Sequence, residues 1–177
     1  ISPYNDVDIV AGQGTMGKEI MEDLPEVDAI FVPVGGGGLI SGVAAYTQAG
    51  DRPIEIVGCQ PIHSAVMYES IMADKILDIP SLPTLSDGTA GGMELDSITF
   101  PLCQEGVDRW VLVSEAEIWQ ALFFLLEKHY LMVEGAAGLA LAAFEKSAQD
   151  YVGKTIVLTL CGRKMGLPTL TDLLTQG

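Results

Sequence analysis

Apolar positions along the chain recur with two different periods, and the two alternate. Met16, Ile20 and Leu24 stand at helical spacing behind Thr15, which the pattern makes an N-cap. Ala29 to Val34 is continuously apolar, as expected of a short strand buried on both faces. Leu39 to Gln48 reads as a helix that stops at Gly50, and Glu55 to Gln60 as a second strand stopped by Pro61. Ser64 to Ile76 carries an amphipathic helical pattern. Leu77 to Asp96, dense in Pro, Gly, Ser and Asp, predicts a long loop of the kind that tends to carry function.

Trp110 to Val113 predicts a third strand. Ser114-Glu115-Ala116-Glu117 is a capping box, and Ile118, Leu122, Leu125 and Leu126 form the apolar stripe of the helix behind it. Ala136 to Lys146 is apolar nearly all round and should lie deep. Thr155 to Leu160 reads as the last strand, followed by the turn Cys161-Gly162 and a short terminal helix. Strands separated by helices pair in parallel through right-handed crossovers. The expected fold is therefore α/β: an open, mostly parallel twisted sheet with helices on both faces. Ligands of such sheets sit at the carboxyl ends of the strands. The tract after Val34, the turn after Gln60 and Cys161-Gly162 all belong to that rim.

Composition narrows the function classes. The 177 residues fit one domain, and 49% hydrophobic with 19% charged residues suits a buried sheet. A net charge of −15 repels polyanions and argues against nucleic acid or an anionic membrane surface. The apolar stretches are too short for a membrane span. The three cysteines, Cys59, Cys103 and Cys161, are scattered, which fits a reducing compartment better than a disulfide framework or a zinc site. The chain opens at Ile1 with no charged-then-apolar leader, so a cytoplasmic fragment of a longer protein is expected.

The feature that asks for chemistry is "FVPVGGGGLISG", Phe31 to Gly42, with four glycines between a strand end and a helix start. Bare N–H groups and the positive end of a helix dipole make a cradle for an anion such as phosphate. A tight strand-to-helix turn would explain one or two of these glycines without any ligand. No lysine follows as a nucleoside-triphosphate loop requires, and the match of Gly36, Gly38 and Ser41 to a dinucleotide fingerprint is loose. A monophosphate held without metal or lysine fits the tract better.

The tract resembles the tetraglycine phosphate cradle of the pyridoxal-phosphate enzymes that dehydrate threonine and serine, a family that includes serine racemase (fold type II). Four further segments resemble that family in its own order: "DIVAGQGTMGKEI" from Asp8, "SDGTAGG" from Ser86, "VEGAAGLALAA" from Val133 and "VLTLCGRK" from Val157. The resemblance implies that Gly35, Gly36, Gly37 and Gly38 hold the phosphate of pyridoxal 5'-phosphate. It further implies that Gly88 offers backbone to the cofactor or substrate, that Glu134 lies near the ring, and that Cys161 faces the pyridine nitrogen. As residues alone, Gly88 could serve a turn, Glu134 could complement a helix dipole, and Cys161 could be a small buried apolar residue.

The family's cofactor-bearing lysine, in an S-x-K-x-R-G-like motif, has no counterpart here, and no catalytic residue is assigned. The resemblance thus covers residues 1–177 as the C-terminal part of the large domain, without the small domain and the lysine segment. It implies a threonine/serine ammonia-lyase that turns a hydroxy amino acid into a 2-oxo acid and ammonia, a homo-oligomer when full length, and inactive as this chain alone. A racemase-like isomerase and a non-catalytic phosphate- or nucleotide-binding domain are the alternatives. Arg163 and Lys164 replace the family's usual Gly-Asn; they could lie near the pyridine, meet a substrate carboxylate, or form an exposed basic turn. Where several relatives hold a divalent ion, this chain has Gln60 and no carboxylate around Ser64 to Val66, so no metal is expected.

Overall fold

The computed structural model describes residues 2–176. Four strands, β1 (Ala29–Pro33), β2 (Glu55–Pro61), β3 (Arg109–Val113) and β4 (Ile156–Leu158), form one sheet in the order β3-β2-β1-β4. Every pairing is parallel, as in the register Ala29 with Glu55 and Ala29 with Ile156. The helices are α1 (Val7–Asp23), α2 (Gly38–Gln48), α3 (Val66–Met72), α4 (Thr99–Gly106), α5 (Glu115–His129), α6 (Gly135–Ser147) and α7 (Leu167–Gln176). No helix among the described residues is long and apolar enough to cross a membrane.

β1 explains the two-faced core. Ile30 and Val32 point into a cluster with Ile40 and Val43 of α2, while Ala29 and Phe31 point into a cluster with Leu139 and Ala143 of α6. A strand covered on both sides needs apolar residues at every position, which is the unbroken run seen in the sequence. The chain moves from β1 outward to β2 and β3, then returns through α5 and α6 to place β4 on the other side of β1. The reversal of winding therefore falls between β1 and β4, and it opens a crevice at their carboxyl ends.

Element boundaries differ from the sequence pattern at several places, and the last strand is only Ile156–Leu158. The first helix starts at Val7 and not near Thr15: the Asp6 carboxylate accepts from the N–H groups of Asp8 and Ile9, whereas Thr15 donates its hydroxyl to Gly12 O inside the helix. Glycines in this helix argue locally against it, yet Gly14 and Gly17 are where α2 packs most closely, so tertiary contact overrides propensity. The segment expected as one helix from Ser64 breaks into a short 3₁₀ turn, Ile62–Ser64, and a two-turn helix ending at Met72. Helix α4 was not anticipated. It is only eight residues long, with Pro101 in its first turn where proline is tolerated.

Candidate active site

At the crevice between β1 and β4 lies a cavity of about 300 Å³. Gly35, Gly36, Gly37, Gly38, Gly88, Glu134 and Cys161 all line it, together with Pro3, Tyr4, Gln13 and Thr89. Seven residues spread from 35 to 161 in sequence thus meet around one space. The loop after β1, the loop at 86–92, the start of α6 and the turn after β4 each contribute.

The glycine turn is shaped from below by protein. Gly36 O accepts from the Thr99 hydroxyl at 2.6 Å, and Gly37 O accepts from Ser41 N at 3.0 Å. Gly37 has φ +87°, the left-handed region that glycine alone adopts without strain, and a β-carbon there would press on Met67, Cys103 and Thr99. A β-carbon on Gly35 would stand 3.1 Å from Thr89 Cα, and one on Gly36 would overlap the Tyr4 ring. The glycines are therefore required first by packing. The carbonyls of Gly36 and Gly37 turn toward protein, and the N–H groups of the four glycines find no protein acceptor among the described residues. No side chain caps the start of α2.

A helix start with orphaned N–H groups facing a cavity suits an anion. That arrangement fits a phosphate-bearing cofactor, since the donors of the cradle are present and the four glycines add no side chain of their own to the cavity.

Glu134 bridges two walls of the cavity. Its N–H donates to Gly162 O at 3.0 Å, its carboxylate accepts from Lys164 N at 3.3 Å, and its Oε1 lies 3.4 Å from where a Gly88 β-carbon would be. A β-carbon on Gly162 would run into the Glu134 side chain, so Gly162 is glycine for that reason. Cys161 is exposed to the cavity, and the protein packed around it, with the Glu134 charge nearby, pushes its thiol above the usual range. It is a neutral thiol at pH 7.

Arg163 and Lys164 do not line this cavity. Arg163 borders a surface hollow with Tyr130 and Met132, and Lys164 borders a separate cavity of about 350 Å³ with Glu115, Leu85 and Thr169. No lysine lines the glycine cavity among the described residues. Sequence reasoning did not single out Tyr4, Gln13, Thr89 and Thr99. Gln13 and Thr89 lie inside motifs quoted for the resemblance, while nothing local marks Tyr4 or Thr99.

A family model described as pyridoxal-phosphate dependent enzyme matches residues 1–162. The chain belongs to that family. An L-threonine ammonia-lyase of Thermotoga maritima is 37% identical over 177 residues, which is 100% of this chain and 44% of that protein. One of Geobacter sulfurreducens is 36% identical over 179 residues, again with 44% of its length covered. The processed form of threonine deaminase isoform 2 from Solanum lycopersicum superposes with a TM-score of 0.91 at 31% identity, over 99% of this chain and 51% of that one. Serine racemase from Dictyostelium discoideum follows the same fold with a TM-score of 0.85 at 30% identity, over 94% and 54%. The chain thus spans less than half the length of the curated relatives it matches.

Proposed function

We propose that this chain is the cofactor-holding part of a pyridoxal-phosphate-dependent ammonia-lyase acting on a small hydroxy amino acid, threonine or serine. The observation that carries the reading is the single cavity lined by Gly35 to Gly38, Gly88, Glu134 and Cys161, with unpaired N–H groups at the start of α2. The similarity to threonine ammonia-lyases supports the reaction class.

In this reading the N–H groups of Gly35 to Gly38, with the dipole of α2, bind the phosphate. Pyridoxal phosphate supplies an electron sink that makes the α-proton of a bound amino acid acidic. Cys161, held neutral by its surroundings, would offer a bound cofactor a weak thiol donor and no negative charge. Glu134 braces the Cys161-Gly162 turn through its N–H and carboxylate and stands against Gly88, so these residues would form one wall beside a bound cofactor. No lysine borders the cavity among the described residues, and in this reading a lysine elsewhere in the full-length protein would take the α-proton, so that the chain alone would not turn over.

The test uses the full-length protein. Added pyridoxal phosphate should be retained through gel filtration with visible absorbance, and threonine or serine should then yield 2-oxo acid and ammonia. Retention with inversion of the α-carbon and no oxo acid would move the assignment to a racemase. Failure to retain the cofactor would overturn the reading.

A further inference from the structure

The two residues that close the turn after β2 are committed to a loop distant in sequence. His63 O accepts from Leu82 N at 2.8 Å, and His63 Nδ1 lies 2.7 Å from Pro83 O. Ser64 Oγ lies 2.7 Å from Ser81 Oγ and accepts from Gly91 N at 3.2 Å. One dipeptide therefore grips the loop at 81–83 and again at 91. Glu115 adds a hold between them, accepting from Leu85 N at 2.7 Å.

What the loop carries makes these grips matter. Gly88 and Thr89 lie between them and line the glycine cavity, and the Thr89 backbone rests directly on Gly35. At the far end the side-chain direction is open: β-carbons built on Gly91 and Gly92 meet nothing within 4 Å. Gly91 also sits at φ +130°, a conformation with no helix or strand to support it. Its N–H bond to Ser64 is the contact that ends the loop's excursion. Ser64 itself is 2% exposed, while its partners Ser81 and Gly91 are half-buried and exposed, so removing its hydroxyl frees the loop end to water.

We propose that Ser64 and His63 are positioning residues for the cavity. They fasten the Ser81–Gly91 loop so that Gly88 and Thr89 stay against the glycine turn and keep its N–H groups aimed at a bound phosphate. The second half of this statement rests on the cofactor reading given above; the fastening itself does not.

The experiment is hydrogen exchange by mass spectrometry on the full-length protein, paired with titration of inorganic phosphate followed by phosphorus NMR. Ser64→Ala should speed exchange at 81–91 by about tenfold, the loss expected for one or two hydrogen bonds, while the sheet strands exchange as before. His63→Ala, at a half-exposed position that leaves the core intact, should do the same with smaller effect at 82–85. In both variants phosphate affinity should drop about threefold or more while the protein stays folded, its melting temperature falling by no more than about 5 °C. Unaltered exchange at 81–91 in both variants overturns the fastening. Faster exchange with unaltered phosphate affinity overturns the positioning role. If the unmodified protein binds no phosphate at all, the cofactor reading fails, and the exchange result alone decides the fastening.

Discussion

The ring of Tyr4 occupies the space that a side chain on Gly36 would need. A β-carbon built on Gly36 overlaps the ring, and one on Gly38 would stand 2.9 Å from Tyr4 Cβ. Tyr4 is held there by its hydroxyl, which accepts from Glu94 N at 3.0 Å. Asn5 locks the same strap, donating to the Glu94 carboxylate at 2.5 Å and accepting from Ile98 N at 2.8 Å. Two of the four glycines are thus glycine because an aromatic side chain from the start of the chain lies across them.

This relationship predicts a coupled pair. Gly36→Ala should destabilise the protein by about 1–3 kcal/mol through overpacking. In a Tyr4→Ala background the same change should cost less than about 1 kcal/mol, because the ring is gone. Urea unfolding of the four proteins measures the coupling. Strictly additive costs would show that Gly36 is required by something other than Tyr4.

Glu134 should act through its acceptor oxygen more than through its charge. Glu134→Gln keeps an oxygen for Lys164 N, and its stability should stay within about 0.5 kcal/mol of the parent. Glu134→Ala leaves Lys164 N without that acceptor and should cost about 1 kcal/mol, with faster exchange at 162–164. Equal behaviour of the two variants would count against the bracing role.

Buried thiols make stability fall at alkaline pH. Cys59 and Cys103 are enclosed, burial raises both thiols, and that of Cys103 is pushed up to about 12 against a weak contribution from Ser41. Desolvation likewise pushes the Tyr151 phenol up to about 12. A raised folded pKa means the native state keeps protons that the unfolded chain gives up. The stability is therefore complete below the unfolded thiol's pKa, near 8.5, and declines above it by about 1.4 kcal/mol per pH unit per buried group. Denaturant midpoints should drop between pH 8 and pH 10, and Cys103→Ala should flatten that drop. A slope unchanged by Cys103→Ala would refute the assignment.

Gln60 gives a prediction about metal. It is 1% exposed, its amide oxygen accepts from Tyr68 N at 2.8 Å, and its amide nitrogen donates to Val34 O at 3.1 Å. Both ends of the amide are used. Among the described residues no three His, Cys, Asp or Glu side chains stand close enough to hold an ion. Divalent magnesium and calcium need several charged oxygen ligands. Calorimetric titration with magnesium should give no saturable heat, and a chelator should leave the melting temperature unchanged. Saturable binding abolished by Gln60→Ala would prove this wrong.

Period and punctuation along the chain determine the architecture. The unbroken apolar run at Ala29 to Val34, the capping box at Ser114 and the alternation of strand and helix patterns specify a parallel sheet, because a strand covered on both faces carries mostly apolar residues. The glycine tract also announced its own importance, since four residues without β-carbons stand where a helix begins. Why each of the four must be glycine was decided by tertiary structure alone. Tyr4 is more than thirty residues upstream of the turn it covers, Thr89 more than fifty downstream, and Thr99 and Cys103 sit on a helix too short to show a period. The start of α1 was hidden for the same reason. Gly14 and Gly17 look like helix breakers until α2 is seen against them, and close packing between two helices leaves no trace in either one's local pattern. Local preference and burial period are properties of neighbouring residues and can be read in order. Contact between distant segments depends on how the sheet winds, and winding exists only once the chain has folded.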